Sequence, residues 1–112
     1  LGADPIVGAI AALSHIYKRP IKTFIVRKAA KGHGTLRQIE GPELEKDDIV
    51  LLVDDVATTG KAILEAKEAL DREGIASSRA MVIVDRCEGA RENLKSSGLE
   101  LEAIFTIRDF GL

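Results

Sequence analysis

Short apolar runs alternate with amphipathic stretches along the chain, and this alternation predicts strands and helices in turn. The apolar runs are rich in β-branched residues, which is typical of strands. The four predicted strands are Ile21–Val26, Ile49–Val53, Ala80–Val84 and Ala103–Ile107. The three predicted helices are Pro5–His15, Gly60–Glu73 and Ala90–Ser96. Strands that alternate with helices indicate an α/β fold with a mostly parallel sheet and flanking helices.

The predicted helices carry clear local signals. In the first helix Ile6, Ile10 and Leu13 recur at helical spacing, so we expect them on its buried side. Gly74 follows the second helix and is expected to end it in a left-handed conformation. Residues 27–41 show no periodicity, and we expect a long loop there with a short hairpin near Arg37–Glu40.

Length and composition narrow the class of protein. The chain has 112 residues, which is a common size for a single domain, so residues 1–112 are expected to form one domain. The net charge of −2 does not favour binding to nucleic acid or to a membrane surface. No apolar stretch approaches the roughly 20 residues that span a bilayer. The single cysteine, Cys87, excludes an internal disulfide and suits a cytoplasmic protein.

The apolar run that ends at Val53 leads into two carboxylates, Asp54 and Asp55, and then into a turn of small residues that opens a helix. Backbone N–H groups at the start of a helix lack intrahelical partners and favour anions, most often phosphate. The carboxylates would repel a phosphate, but they fit a sugar diol or a metal held through water. An ordinary strand-to-helix connection or a phosphoacceptor domain could have the same pattern.

A second polar group follows the strand that ends at Val26. Arg27, Lys28, Lys31 and His33 lie within nine residues, together with two glycines. This pattern is typical of a solvated basic loop, or of a lid whose cations close over a polyphosphate and stabilise a leaving group. The loop contains no aromatic residue on which a base could stack, so a nucleic-acid site is disfavoured.

A third polar group, Asp85-Arg86, follows the predicted strand Ala80–Val84. It is either an exposed ion pair of little energetic value or a site in which the planar guanidinium binds a carboxylate. Cys87 beside it is expected to be incidental to any chemistry. Because the carboxyl ends of parallel strands meet at one edge of a sheet, we expect the three polar groups to converge there.

Together these segments resemble the type I phosphoribosyltransferases, and most closely their orotate branch. Val53–Gly60 is similar to the family's phosphoribosyl-pyrophosphate loop. Phe24–Thr35, followed by Ile39–Gly41, resembles the flexible catalytic loop of the orotate enzymes. Val84–Arg86, with Glu88-Gly89 after it, resembles the end of the strand that carries their orotate site.

The resemblance implies roles for individual residues. Asp54 and Asp55 would bind the ribose hydroxyls, and the turn after them would bind the 5′-phosphate. The basic loop would hold the pyrophosphate, with Lys31 and His33 as catalytic groups. The set implied to bind phosphoribosyl pyrophosphate is Arg27, Lys28, Lys31, His33, Asp54, Asp55, Val56, Ala57, Thr58, Thr59, Gly60, Lys61 and Ala62.

The resemblance also implies a reaction and its partners. Ribose 5-phosphate would pass from phosphoribosyl pyrophosphate to orotate, which Thr58 and Arg86 would contact, in the biosynthesis of pyrimidine nucleotides. Mg²⁺ is implied as the cofactor, held by the substrate and reached from Asp54 or Asp55 only through water. A homodimer is implied in which loop 27–35 reaches the neighbouring site.

Two alternatives stay open at this point. A phosphoribosyltransferase for purine bases is disfavoured by the basic loop. A regulator that binds phosphoribosyl pyrophosphate without catalysis remains compatible, because Ala29 and Gly32 stand where many family members carry acidic residues. Family members also have an N-terminal hood and a first core strand. We expect both to be missing from these 112 residues, which would then form a partial catalytic core.

Overall fold

The computed structural model describes residues 4–18, 21–27 and 38–111. The elements in chain order are α1 Asp4–Ile16, β1 Ile25–Val26, β2 Ile39–Glu40, β3 Val50–Ala57, α2 Lys61–Arg72, β4 Ser77–Asp85, α3 Ala90–Ser96, β5 Glu100–Thr106 and a 3₁₀ turn Ile107–Phe110. The strands β3, β4 and β5 form a parallel sheet in that order. The prediction of an α/β fold with a parallel sheet and flanking helices is confirmed.

The core lies between this sheet and the helices α2 and α3. Helix α2 packs on β3 and β4, and α3 packs on β5. The most deeply buried large side chains are Leu70, Leu94, Leu99, Leu101 and Val82. On the inner side of α2, Ile63, Ala69 and Leu70 are buried and Ala66 is partly buried, at the spacing expected of a helix that packs on a sheet. This packing fixes the direction in which the start of α2 points.

Helix α2 ends as its glycine predicts. Gly74 has a φ of +76°. The backbone N–H of Ile75 donates to the carbonyl oxygen of Leu70 at 2.9 Å. This bond satisfies a carbonyl that the end of the helix would otherwise leave open.

The first helix forms where it was predicted, but its buried side differs. Leu13 is 49% exposed, so its expected burial is wrong. Ser14 is buried instead, because its hydroxyl donates to the carbonyl of Ala11 and accepts the N–H of Ile21. None of the helices in the described ranges combines the length and apolarity needed to cross a bilayer.

The prediction of a parallel strand over Ile21–Val26 is wrong. Only Ile25–Val26 forms a strand, and it pairs antiparallel with Ile39–Glu40, where a short hairpin was expected. A β-branched run forms a strand only where another segment offers backbone partners, and the pairing found among the described residues is this one. An apolar groove of about 1010 Å³ lies between 21–27 and 49–54.

The strand β3 is longer than predicted. Its pairing with β4 continues to Ala57, opposite Asp85, so Asp54 and Asp55 lie inside the strand rather than after it. The two carboxylates do not interrupt this pairing, because ladder hydrogen bonds use only backbone groups. Both carboxylates are half-buried near the end of the sheet, where polar side chains reach solvent. The last strand also shifts, since Ile107 begins a 3₁₀ turn.

Candidate active site

The turn between β3 and α2 presents open backbone donors. Gly60 is the N-cap of α2 in a left-handed conformation, with φ 87° and ψ 5°, and no side chain caps the helix. The first turn of α2 contains no acidic residue. The N–H groups of Lys61, Ala62 and Ile63 precede the first intrahelical donor, Leu64, which bonds to Gly60 at 3.0 Å. This geometry suits an anion at the start of the helix.

Helix α3 supports this turn from behind. The side-chain amide of Asn93 donates to the carbonyl oxygen of Thr59 at 2.8 Å. A Cβ built on Gly60 would lie 3.2 Å from two side-chain atoms of Leu94 and 3.4 Å from the Cα of Ala90. The turn therefore approaches α3 so closely that glycine is the residue that fits at this position.

The two carboxylates of β3 differ in their electrostatics. Burial raises the pKa of Asp54, and the neighbouring carboxylate of Asp55 raises it further. The pKa of Asp55 is lowered, mainly by a hydrogen bond with the Asp54 side chain and also by the backbone N–H of Val56, which donates to it at 2.7 Å. As the pH rises, Asp55 therefore ionises before Asp54.

The ends of β3 and β4 lie side by side, as predicted from the parallel sheet. The backbone N–H of Arg86 donates to the carbonyl of Ala57 at 2.9 Å. The guanidinium of Arg86 is half-exposed and lies 3.4 Å from the carboxylate of Glu88. The structure thus brings the backbone of Arg86 to the same edge of the sheet as the phosphate turn.

Asp85 does not pair with Arg86, so that alternative is wrong. Its carboxylate is 3% exposed and accepts the backbone N–H of Cys87 at 2.9 Å. Arg91 lies 3.9 Å from the same carboxylate and donates to the carbonyl of Leu101. Asp85 therefore fixes the loop that carries Arg86. The Cys87 thiol is exposed.

A cavity of about 670 Å³ opens beside the turn. Its lining includes the whole turn, Asp54 but not Asp55 of the two carboxylates, and four polar residues of α2. The lining residues are Gln38, Asp54, Val56, Ala57, Thr58, Thr59, Gly60, Lys61, Ala62, Ile63, Glu65, Glu68 and Arg72. Sequence reasoning missed Gln38 and Arg72, whose side chains bond to one another. They are 34 residues apart, and no local pattern signals that contact.

The basic loop is described only at its start. Arg27 forms an ion pair with Glu40 at 2.6 Å, and its backbone N–H donates to the carbonyl of Gln38. The other predicted cations, Lys28, Lys31 and His33, lie outside the described residues. Arg27 follows β1 and lines the apolar groove rather than the 670 Å³ cavity.

The described residues at this edge offer a pair of carboxylates to a metal ion and no larger ligand set. In 4–18, 21–27 and 38–111, no cluster of three or more His, Cys, Asp or Glu side chains could hold a metal ion. Asp54 and Asp55 supply carboxylate oxygens, the ligands that Mg²⁺ prefers, but only as a pair. These donors fit an ion that receives most of its ligands from a bound substrate.

Comparison with known proteins defines the class. The chain matches the phosphoribosyl transferase domain family over residues 5–111 and belongs to that family. Among curated relatives, it is 46% identical over 109 residues to the orotate phosphoribosyltransferase of Synechocystis sp., a match that covers 97% of this chain and 55% of the relative. These matches confirm the resemblance inferred from the three motifs.

Solved structures agree with this relationship. The orotate phosphoribosyltransferase of Mycobacterium tuberculosis in complex with inorganic phosphate matches with a TM-score of 0.82 and 38% identity, covering 100% of this chain and 59% of that one. The same enzyme in complex with phosphoribosyl pyrophosphate matches with a TM-score of 0.81 and 38% identity, covering 99% of this chain and 61% of that one. The chain spans a little more than half the length of the curated relatives it matches.

Proposed function

We propose that this chain is the catalytic core of an orotate phosphoribosyltransferase, a pentosyltransferase. It would transfer ribose 5-phosphate from phosphoribosyl pyrophosphate to orotate, giving orotidine 5′-monophosphate and pyrophosphate. The observation that carries the proposal is the uncapped turn at Gly60, which lies at the same sheet edge as the half-buried carboxylate pair and Arg86. The similarity to the orotate phosphoribosyltransferase of Synechocystis sp. supports orotate as the acceptor.

In this proposal the turn binds the 5′-phosphate of the substrate. The open N–H groups at the start of α2 would donate to the phosphate oxygens, and the dipole of α2 would add a favourable field. The exposed hydroxyls of Thr58 and Thr59 would supply further donors. Lys61, exposed in the first turn, would add a positive charge. The shape of the phosphate site would also depend on the backbone and the small side chains of Val56, Ala57 and Ala62.

The carboxylates would hold the ribose. Asp55, whose pKa is lowered, would be ionised and accept hydrogen bonds from ribose hydroxyls. Asp54, whose pKa is raised by burial, would share this task with its neighbour. Mg²⁺ would be held by pyrophosphate and ribose oxygens, with the two carboxylates reaching it through water at most. When bound, the ion would neutralise charge on the leaving pyrophosphate.

The chemistry would then need the loss of a single proton, from N1 of orotate, which would pass to the departing pyrophosphate or to water. The N1 atom of orotate would attack C1′ of the ribose as the bond from C1′ to pyrophosphate breaks, through an oxocarbenium-like transition state. Arg27, Lys28, Lys31 and His33 would stabilise the negative charge that develops on the pyrophosphate, with Lys31 the most rate-sensitive. Positioning of the two substrates supplies the rest of the acceleration.

The acceptor would bind at the end of β4. Arg86 carries a planar, permanently charged guanidinium that suits the carboxylate of orotate, and its half-exposed position leaves room for a ligand. Thr58 would contact the base from the adjacent turn. The bond from the Arg86 N–H to Ala57 ties the two loops together, so acceptor and donor would lie close to each other. We also propose a cytoplasmic homodimer in which loop 27–35 serves the neighbouring site.

The test is orotate consumption by the full-length gene product that carries these residues. Ultraviolet absorbance follows the loss of orotate in the presence of phosphoribosyl pyrophosphate and Mg²⁺, and adenine and hypoxanthine serve as competing acceptors. The proposal predicts loss of orotate and no transfer to either purine base. Binding of phosphoribosyl pyrophosphate without any loss of orotate would contradict it and would favour the regulator.

A further inference from the structure

We infer that Asn93 is a positioning residue that sets the direction of the phosphate-binding amide of Gly60. This role rests on the function proposed above, because the direction of the Gly60 amide matters for function only if the turn binds phosphate. Asn93 lies on α3, 34 residues from Thr59 in sequence, and its Nδ2 donates to the Thr59 carbonyl oxygen at 2.8 Å.

The geometry of the peptide bond connects this contact to the ligand. The bond between Thr59 and Gly60 is trans, so the Thr59 carbonyl and the Gly60 N–H point in opposite directions. A carbonyl that is held towards Asn93 therefore turns the Gly60 N–H away from α3. The cavity of about 670 Å³ is lined by both residues of this peptide and by no residue of α3. The Gly60 N–H thus points to the side on which the ligand would lie.

The close packing behind the turn makes this contact effective. Leu94 and Ala90 lie against Gly60, so the turn has little room to move towards α3. Packing alone does not choose between the two orientations of the peptide plane, because a carbonyl and an N–H are similar in size. In the structure the orientation is fixed by the observed bond, in which the Asn93 Nδ2 donates to the Thr59 carbonyl and holds that carbonyl towards α3.

The experiment compares two variants of the full-length gene product that carries these residues. Asn93→Leu keeps the size of the side chain, adds no charge and removes the donor. Ser96→Ala is the matched control. It removes another exposed side-chain hydrogen bond of α3, in which the Ser96 hydroxyl donates to the Glu92 carbonyl at 3.0 Å, and this bond does not reach the turn. Calorimetry measures the affinity for phosphoribosyl pyrophosphate with Mg²⁺ and for inorganic phosphate. Nuclear magnetic resonance follows the Gly60 amide during each titration.

We expect Asn93→Leu to weaken both affinities about tenfold, the effect of losing one well-aligned bond to a charged group. Ser96→Ala should bind as the wild type does, and both variants should unfold within a few degrees of it. Equal affinities of Asn93→Leu and the wild type would overturn this inference alone. A wild-type Gly60 amide that stays unshifted at saturating phosphate would also overturn it, whether or not the variant folds. A wild type that binds neither ligand would overturn the proposed function together with it.

Discussion

Replacing Gly60 by alanine tests how tightly the phosphate turn is packed against α3. Gly60 has a φ of +87°, a conformation that costs an L-residue about 1–2 kcal/mol. The new Cβ would also lie 3.2 Å from Leu94 and 3.4 Å from the Cα of Ala90. Overpacking of this kind typically costs about 1–3 kcal/mol. The two effects together predict a loss of about 2–5 kcal/mol in the free energy of unfolding.

Gly98 offers a matched control in the same chain. Its φ of +83° is almost the same as that of Gly60, but no atom lies within 4 Å of the position of its Cβ. Gly98→Ala therefore measures the backbone cost alone. We expect it to lower the free energy of unfolding by about 1–2 kcal/mol, and each kcal/mol corresponds to about 4–8 °C in the melting temperature of a domain near this size. The difference between the two variants isolates the contact with α3.

Urea denaturation followed by circular dichroism measures both losses, with unchanged m values as the condition for comparing them. The Gly60→Ala variant should lose at least about 1 kcal/mol more than Gly98→Ala. Equal losses would refute the close packing of the turn on α3. In that case the geometry of the phosphate turn would have to be fixed by β3 and α2 alone.

Three further predictions concern the carboxylate pair, the basic loop and the acceptor site. Burial raises the pKa of Asp54 above 3.8, so ionisation of this carboxylate destabilises the fold as the pH rises through the raised pKa. Asp54→Asn should therefore raise the melting temperature by a few degrees at pH 7 and hardly at pH 3. Equal changes at both pH values would count against this prediction. Lys31→Ala in the full-length gene product should lower turnover about 10²–10³-fold with little change in the dissociation constant of phosphoribosyl pyrophosphate, and unchanged turnover would remove Lys31 from the mechanism. Arg86→Gln should raise the KM for orotate about tenfold or more and leave the affinity for phosphoribosyl pyrophosphate unchanged. The control Glu88→Gln should affect neither quantity strongly, and similar effects of both variants would argue against a contact between Arg86 and orotate.

The parallel sheet and its helices were predictable because their signals are local. A continuous apolar run such as Val50–Val53 suits a strand that is buried in a parallel sheet. The spacing of Ile63 and Leu70 and the glycine after α2 are likewise readable from neighbouring residues. The meeting of the polar groups at the ends of β3 and β4 was predictable for the same reason, since parallel strands bring their carboxyl ends to one edge. The expected convergence of Arg27 on that edge is wrong, because β1 pairs antiparallel in a separate sheet.

Long-range contacts were not predictable. The bond from Asn93 to Thr59 spans 34 residues and depends on how α3 packs against the turn, which no local pattern encodes. The length of β3 was misjudged because the polarity of Asp54 and Asp55 suggested an end to the strand. Backbone pairing with β4 continues past both residues, and that pairing does not depend on side-chain polarity.

The most direct test of a phosphoribosyl site at the carboxyl end of β3 is to map its ligand by nuclear magnetic resonance. Phosphoribosyl pyrophosphate with Mg²⁺ is titrated into the isotope-labelled chain, and the backbone amide shifts are followed. We predict that the largest shifts occur over 54–62, with smaller ones at Arg86. Saturating ligand that leaves the amides of 54–62 unshifted would contradict the account.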